Sequence, residues 1–128
     1  MKIFSAILLL LASCTPKSKP DSQIFYVFDS KTSELSIRVN LPEGMHAYAP
    51  GEPVGRPVEL VISPKNNWVL ASPPILPTGN TKHLLDKNFE IKAKLKNGNG
   101  PISGIFKMQL CSDNSCERPQ DYAFEVQL

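Results

Sequence analysis

Apolar and polar residues alternate along most of this chain. Leu35, Ile37, Val39 and Leu41 are separated by Ser36, Arg38 and Asn40, and Phe89, Ile91, Ala93 and Leu95 by Glu90, Lys92 and Lys94. A period of two sends successive side chains to opposite faces of an extended strand, so each segment offers one face to a core and the other to water. Helical three-four spacing is nowhere sustained for ten residues. Further strands are expected at 24–28, 58–62, 68–71, 102–110 and 122–128, divided by segments rich in proline, glycine and asparagine. The pattern predicts an all-β fold, a β-sandwich of about seven or more strands.

The chain's 12 prolines sharpen the boundaries. Proline has no N–H for a ladder, so Pro42, Pro50, Pro53, Pro57, Pro73, Pro74 and Pro77 mark where strands stop. Two long connections result, 42–57 and 73–87. Loops of that length in a compact domain are commonly binding or lid elements. Trp68, the single tryptophan, is assigned to the core. The stretch 24–128 is one domain's worth of chain, enough for one hydrophobic core.

The N-terminus reads differently. Met1-Lys2 precedes an apolar run from Ile3 to Ala12 that is too short for a permanent membrane span and suits an export signal. Leu11-Ala12-Ser13-Cys14 resembles the lipobox of bacterial lipoproteins, which implies cleavage before Cys14 and lipid on that cysteine. On that resemblance residues 1–13 are a signal peptide, and 14–23 are the lipidated cysteine with a flexible tether. The nine residues from Thr15 to Gln23 reach about 17 Å as a coil. The implied location is the periplasm, with the protein held to a bacterial membrane through Cys14.

Charge adds little. Loss of residues 1–13 removes Lys2 only, so 14 basic side chains become 13 against 12 acidic. No nucleic-acid footprint follows from such a balance. Lys92, Lys94 and Lys96 look clustered, but they alternate with apolar residues and belong to the solvated face of one strand.

The chemistry resides in the cysteines. Of the three, Cys14 belongs to processing, leaving Cys111 and Cys116 at the ends of Ser112-Asp113-Asn114-Ser115. If alternation continues past Phe106, Met108 and Leu110, Cys111 falls on the face away from the core. A hairpin between 102–110 and 122–128 brings the two sulfurs together, and opposed residues of an antiparallel pair are close enough for a disulfide. Closing a six-residue loop restrains the unfolded chain by only about 2 kcal/mol, which favours a reversible bond over a staple. Cys111, Cys116, His46 and His83 would form a two-cysteine, two-histidine metal set, but the histidine spacing gives it no support, and no metal is expected.

Phe106-Lys107-Met108-Gln109-Leu110-Cys111, four residues, then Cys116-Glu117-Arg118-Pro119 is similar to the cysteine hairpin of the N-terminal periplasmic domain of DsbD, the transmembrane thiol:disulfide interchange protein. Leu41-Pro42-Glu43-Gly44-Met45-His46-Ala47-Tyr48-Ala49-Pro50 resembles the segment of that family beside the cysteines. The resemblance spans nearly all of 24–128 and implies an immunoglobulin-like β-sandwich. It also implies a thiol:disulfide oxidoreductase without cofactor, whose catalytic pair Cys111 and Cys116 passes reducing equivalents between a membrane-embedded donor and thioredoxin-like periplasmic proteins. By position Cys116 matches the family cysteine that meets downstream partners. The family's membrane electron-conducting and thioredoxin-like domains have no counterpart here, so a separate membrane protein is the expected donor.

His46 and Tyr48 are expected to flank the cysteines and shape access to them, and a nearby imidazolium would lower a thiol pKa. The family's shielding loop carries an aromatic residue, whereas the matching 79–86 has none, leaving His83, Leu84 or Leu85 to shield the pair, or the pair open. The competing function is a non-enzymatic binding or structural lipoprotein with a fixed Cys111–Cys116 disulfide.

Overall fold

The computed structural model describes residues 22–51 and 55–128. Among the described residues nine strands follow one another: β1 (Gln23–Asp29), β2 (Glu34–Asn40), β3 (Ala47–Tyr48), β4 (Glu59–Ile62), β5 (Val69–Leu70), β6 (Leu84–Leu85), β7 (Phe89–Lys96), β8 (Ile102–Met108) and β9 (Gln120–Val126). One short 3-10 turn, Lys65–Asn67, lies between β4 and β5. The expected all-β class is what forms. The two strands beyond the expected seven, β3 and β6, lie inside the two proline-bounded connections. Each has two residues, too few for any alternation to register.

Among the described residues all pairings between strands are antiparallel. One sheet has the order β1-β2-β7-β5, a second β4-β8-β9, and β3 pairs with β6 as a small ribbon. The alternation seen in the sequence becomes the packing. Leu35, Ile37 and Val39 of β2 and Ile91, Ala93 and Leu95 of β7 join Ile102, Phe106 and Met108 of β8 in one buried cluster between the sheets. Register keeps the apolar rows aligned, with Leu35 opposite Ala93 and Ile37 opposite Ile91. The arrangement is an immunoglobulin-like β-sandwich.

Lys92, Lys94 and Lys96 stand on the outer face of β7, as expected. Glu34 and Glu90 lie 3.8 and 3.6 Å from the Lys92 ammonium. Trp68 is buried, as expected, and its indole donates to the Gly100 carbonyl at 3.0 Å. Gly98 of the β7–β8 turn lies flat on that ring, where a Cβ would overlap the indole. Gln23 already belongs to β1, so the ordered strand takes the last residue of the expected tether. The signal peptide, Cys14 and the rest of the tether lie outside the described residues, as does Pro53.

Candidate functional site

The β8–β9 ladder stops at Met108 opposite Gln120. The chain beyond is held by other partners. Gln109 reaches both ways: its Oε1 accepts from the Arg56 amide at 2.9 Å, and its Nε2 donates to the Glu117 carbonyl at 3.1 Å. The Glu117 amide donates to the Leu110 carbonyl at 2.8 Å. Cys111, beyond the end of β8, bridges to His46, each amide donating to the other's carbonyl at 2.9 Å.

Between the cysteines, Ser112 closes the turn. Its amide donates to the Ser115 carbonyl at 2.7 Å, and its Oγ accepts from the amides of Asn114 and Ser115 at 3.3 and 3.2 Å. A serine hydroxyl serving its own turn in this way competes well with regular strand bonding. Cys111 and Cys116 come to lie directly opposite, with Cα atoms 4.0 Å apart, and are joined by a disulfide.

One expectation fails here. Cys111 does not lie on the face away from the core; it is 1% exposed. The cause is the end of β8 at Met108: once the ladder stops, the period of two no longer governs, and Leu110 and Cys111 both turn inward. Cys116, across the turn, is exposed. The two cysteines of one bond therefore differ in exposure, Cys111 buried and Cys116 exposed.

The residues from the two long connections meet at this turn. The bridge to Cys111 sets His46 beside the pair, and two residues later the β3 register places Tyr48 so that its hydroxyl lies 3.8 Å from Cys116 Sγ. Tyr48 is 8% exposed, more enclosed than a side chain merely resting at a loop base. Gly55 lies against its ring so closely that a Cβ would overlap it. The Tyr48 hydroxyl is also 3.4 Å from His46 Nε2.

β6 pairs with β3, Tyr48 opposite Leu84, and so carries the 79–85 loop to the site. Asn80 closes that loop, its Oδ1 accepting from the amides of Lys82 and Leu84 at 2.8 and 3.1 Å. Of the three candidate shields, Leu84 lines the depression beside Cys116, together with His46, Tyr48, Lys82 and the 112–115 turn. Leu85 is in the core. The His83 ring stands against Gly51, 3.3 Å from where a Cβ of that glycine would lie, and does not line the depressions at the cysteines. The expectation that His83 flanks the pair is not met by its side chain, which packs toward Gly51; its backbone, at a positive φ of 58°, accepts from the Ala49 amide at 2.8 Å. Leu84 leaves Cys116 open to solvent.

On the far side of Cys116 a second depression is lined by Pro42, Glu43, Met45, Arg118 and Tyr122 among others. The exposed sulfur is therefore a ridge between two hollows. Among the described residues no group of three or more His, Cys, Asp or Glu side chains is placed to hold a metal ion. The arrangement provides one accessible sulfur, one enclosed sulfur and a phenol hydroxyl beside the accessible one, the parts that thiol-disulfide exchange uses.

Sequence reasoning did not find Gln109, Ser112 or Lys82. Ser112 carried a legible signal, a serine opening a four-residue turn. Gln109 carried only its polarity on an outward position of an apolar strand.

No known protein family matches the chain by sequence, and no curated protein matches it significantly. The fold does have a counterpart among solved structures. It is similar to the N-terminal domain of DsbD from Neisseria meningitidis, determined in the reduced form. The two superpose with a TM-score of 0.59 over 76% of this chain and 78% of that one, at 14% sequence identity. At that identity the likeness establishes the shared fold. The immunoglobulin-like sandwich expected from the motifs around Cys111 and Cys116 is thus the fold of the domain they resemble.

Proposed function

We propose that this protein is a periplasmic thiol-disulfide exchange protein, anchored by lipid on Cys14, that carries reducing equivalents through Cys111 and Cys116 to or from thioredoxin-like partners. The observation that carries the reading is the unequal exposure of the two bonded cysteines, Cys111 1% exposed and Cys116 exposed at the turn. A staple has no use for an accessible half. In exchange, the accessible sulfur takes the incoming thiolate and the enclosed one leaves and later returns.

A partner's thiolate attacks Cys116 Sγ, the bond to Cys111 breaks, and Cys111 departs as a thiolate that takes up a proton. The mixed disulfide between Cys116 and the partner is then attacked by the partner's second thiolate, which releases Cys116 and leaves the partner oxidised. Two electrons pass to this protein and two protons settle on its sulfurs. Run in reverse, the reduced pair reduces a partner's disulfide. A separate membrane electron-conducting protein is the proposed source of electrons. Residues 1–13 act as the signal peptide, 14–23 join the lipid to the fold, and 24–128 carry the activity.

Two features support this assignment besides the pair itself. The 109–117 segment is held by hydrogen bonds from Gln109, Ser112 and Glu117, so the site keeps its frame when the bond opens. The sequence motifs around the pair resemble those of the DsbD N-terminal domain.

The test is mixed-disulfide trapping. Cys111→Ala, which keeps the exposed thiol and removes the one that resolves, is expected to accumulate a disulfide with an oxidised thioredoxin-like protein, visible on non-reducing gels. Cys116→Ala, left with only the enclosed thiol, is expected to capture far less. A native pair that stays oxidised in excess dithiothreitol at neutral pH, with the fold intact, rules out the carrier role.

A further inference from the structure

Cys116 Sγ, the Tyr48 hydroxyl and His46 Nε2 form a row, with 3.8 Å from sulfur to oxygen and 3.4 Å from oxygen to nitrogen. The two rings meet edge-on, centroids 5.4 Å apart and planes at 89°. A phenol has one proton to donate and lone pairs to accept, so in this row it donates to one neighbour at a time. With His46 neutral and Nε2 bare, the hydroxyl proton points to the imidazole, and the sulfur faces an oxygen acceptor, which favours the thiol. With His46 protonated, Nε2 donates to the oxygen and the hydroxyl proton turns to the sulfur, where donation favours the thiolate.

We propose that His46 sets the reactivity of reduced Cys116 through Tyr48, as a positioning residue whose protonation turns the phenol hydroxyl from acceptor to donor at the sulfur. No proton need come from solvent. The S–H proton moves to the Tyr48 oxygen as the hydroxyl's own proton moves to Nε2, and a thiol with a neutral imidazole becomes a thiolate with an imidazolium. No electron moves in this step. The thiolate is the attacking species in exchange, so the row makes Cys116 a stronger nucleophile through the pH range in which an imidazole is charged.

The surrounding charges do not replace His46. Lys82, from the 79–85 loop, and Asp113, from the cysteine turn, share the depression on the Tyr48 side and oppose each other in sign. Glu43, Glu117 and Arg118 line the hollow on the other side of Cys116, again of mixed sign. None of them appears in the hydrogen-bonded row.

The inference deepens the exchange reading and rests on it for its use in the cell; the coupling itself belongs to the reduced pair and is read without a partner. In the full chain carrying Cys111→Ala, the rate of iodoacetamide alkylation at Cys116 is followed against pH by the mass of its peptide. Adding His46→Gln is expected to move the thiol's midpoint upward, and a half-unit move slows alkylation roughly threefold below the midpoint, for example at about pH 6.5. Tyr48→Phe is expected to cause a similar loss, and His46→Gln to add nothing further once Tyr48 is phenylalanine. Superimposable profiles with and without His46 overturn the proposal, and so does a His46→Gln loss that persists in full in the Tyr48→Phe background.

A second measurement covers the case in which a substitution disturbs folding. The His46 imidazole of the native protein is titrated by NMR with the pair oxidised and reduced. Its midpoint is expected to be higher in the reduced protein, where a thiolate stands at the end of the row, and equal midpoints overturn the coupling. Failed trapping alongside an intact pH coupling would sink the exchange reading alone. Intact trapping with flat coupling would sink this inference alone.

Discussion

Tyr26 reports on the contact between the two sheets. Its ring, on β1, stacks on Phe124 of β9 with centroids 4.5 Å apart and planes inclined by 19°. Burial raises the pKa of its phenol, and the neighbouring Tyr122 raises it further. The folded state thus prefers the neutral phenol more strongly than the unfolded chain does. Stability from this preference is complete below the ordinary tyrosine value of about 10 and is lost as pH rises through the higher folded value. Denaturant unfolding measured across this alkaline range is expected to show stability falling with pH, and Tyr26→Phe is expected to flatten that fall. An unchanged slope in Tyr26→Phe would assign the effect elsewhere. Residue identity foretold some of this scale: Trp68 in the core, His46 and Tyr48 beside the cysteines, and the lysines of β7 outside. It did not foretell the Tyr48 hydroxyl lying against Cys116 Sγ, because that contact depends on a bridge between His46 and Cys111, 65 positions apart in number, which no local pattern encodes.

At the scale of the element, the 109–117 segment shows how a strand pattern ends. Alternation through Phe106, Met108 and Leu110 places Cys111 outward, yet it is buried, because the backbone partner changes from β9 to His46 after the ladder closes. Noncovalent bonds from Gln109, Ser112 and Glu117 then hold the turn. The disulfide across so short a loop is expected to add about 2 kcal/mol or less to stability. Cys111→Ala with Cys116→Ala should therefore fold with a loss of that size in urea unfolding, and a variant that fails to fold would show the bond to be a structural staple. β3 and β6 illustrate the other limit of sequence reading. Their two-residue lengths hide them inside connections legible only as proline-bounded, yet they bring Tyr48 and Leu84 together.

For the whole molecule, the two sheets share one buried cluster drawn from β2, β4, β7, β8 and β9. A single core implies a single cooperative transition. Trp68 fluorescence and far-ultraviolet circular dichroism are expected to give coincident unfolding midpoints, and separated midpoints would mean that the sheets melt independently. The class of the fold was legible because alternation and proline placement are local properties, written in successive residues. The same local chemistry made the Cys111 and Cys116 pair and its short loop visible. Which sulfur is exposed, which side chain of 83–85 reaches the pair, and that Tyr48 links His46 to Cys116 were decided only when distant segments packed. Those facts depend on where each chain segment finds its hydrogen-bond partners after its own ladder ends, and such partners are chosen by the assembled core and not by neighbours in the chain.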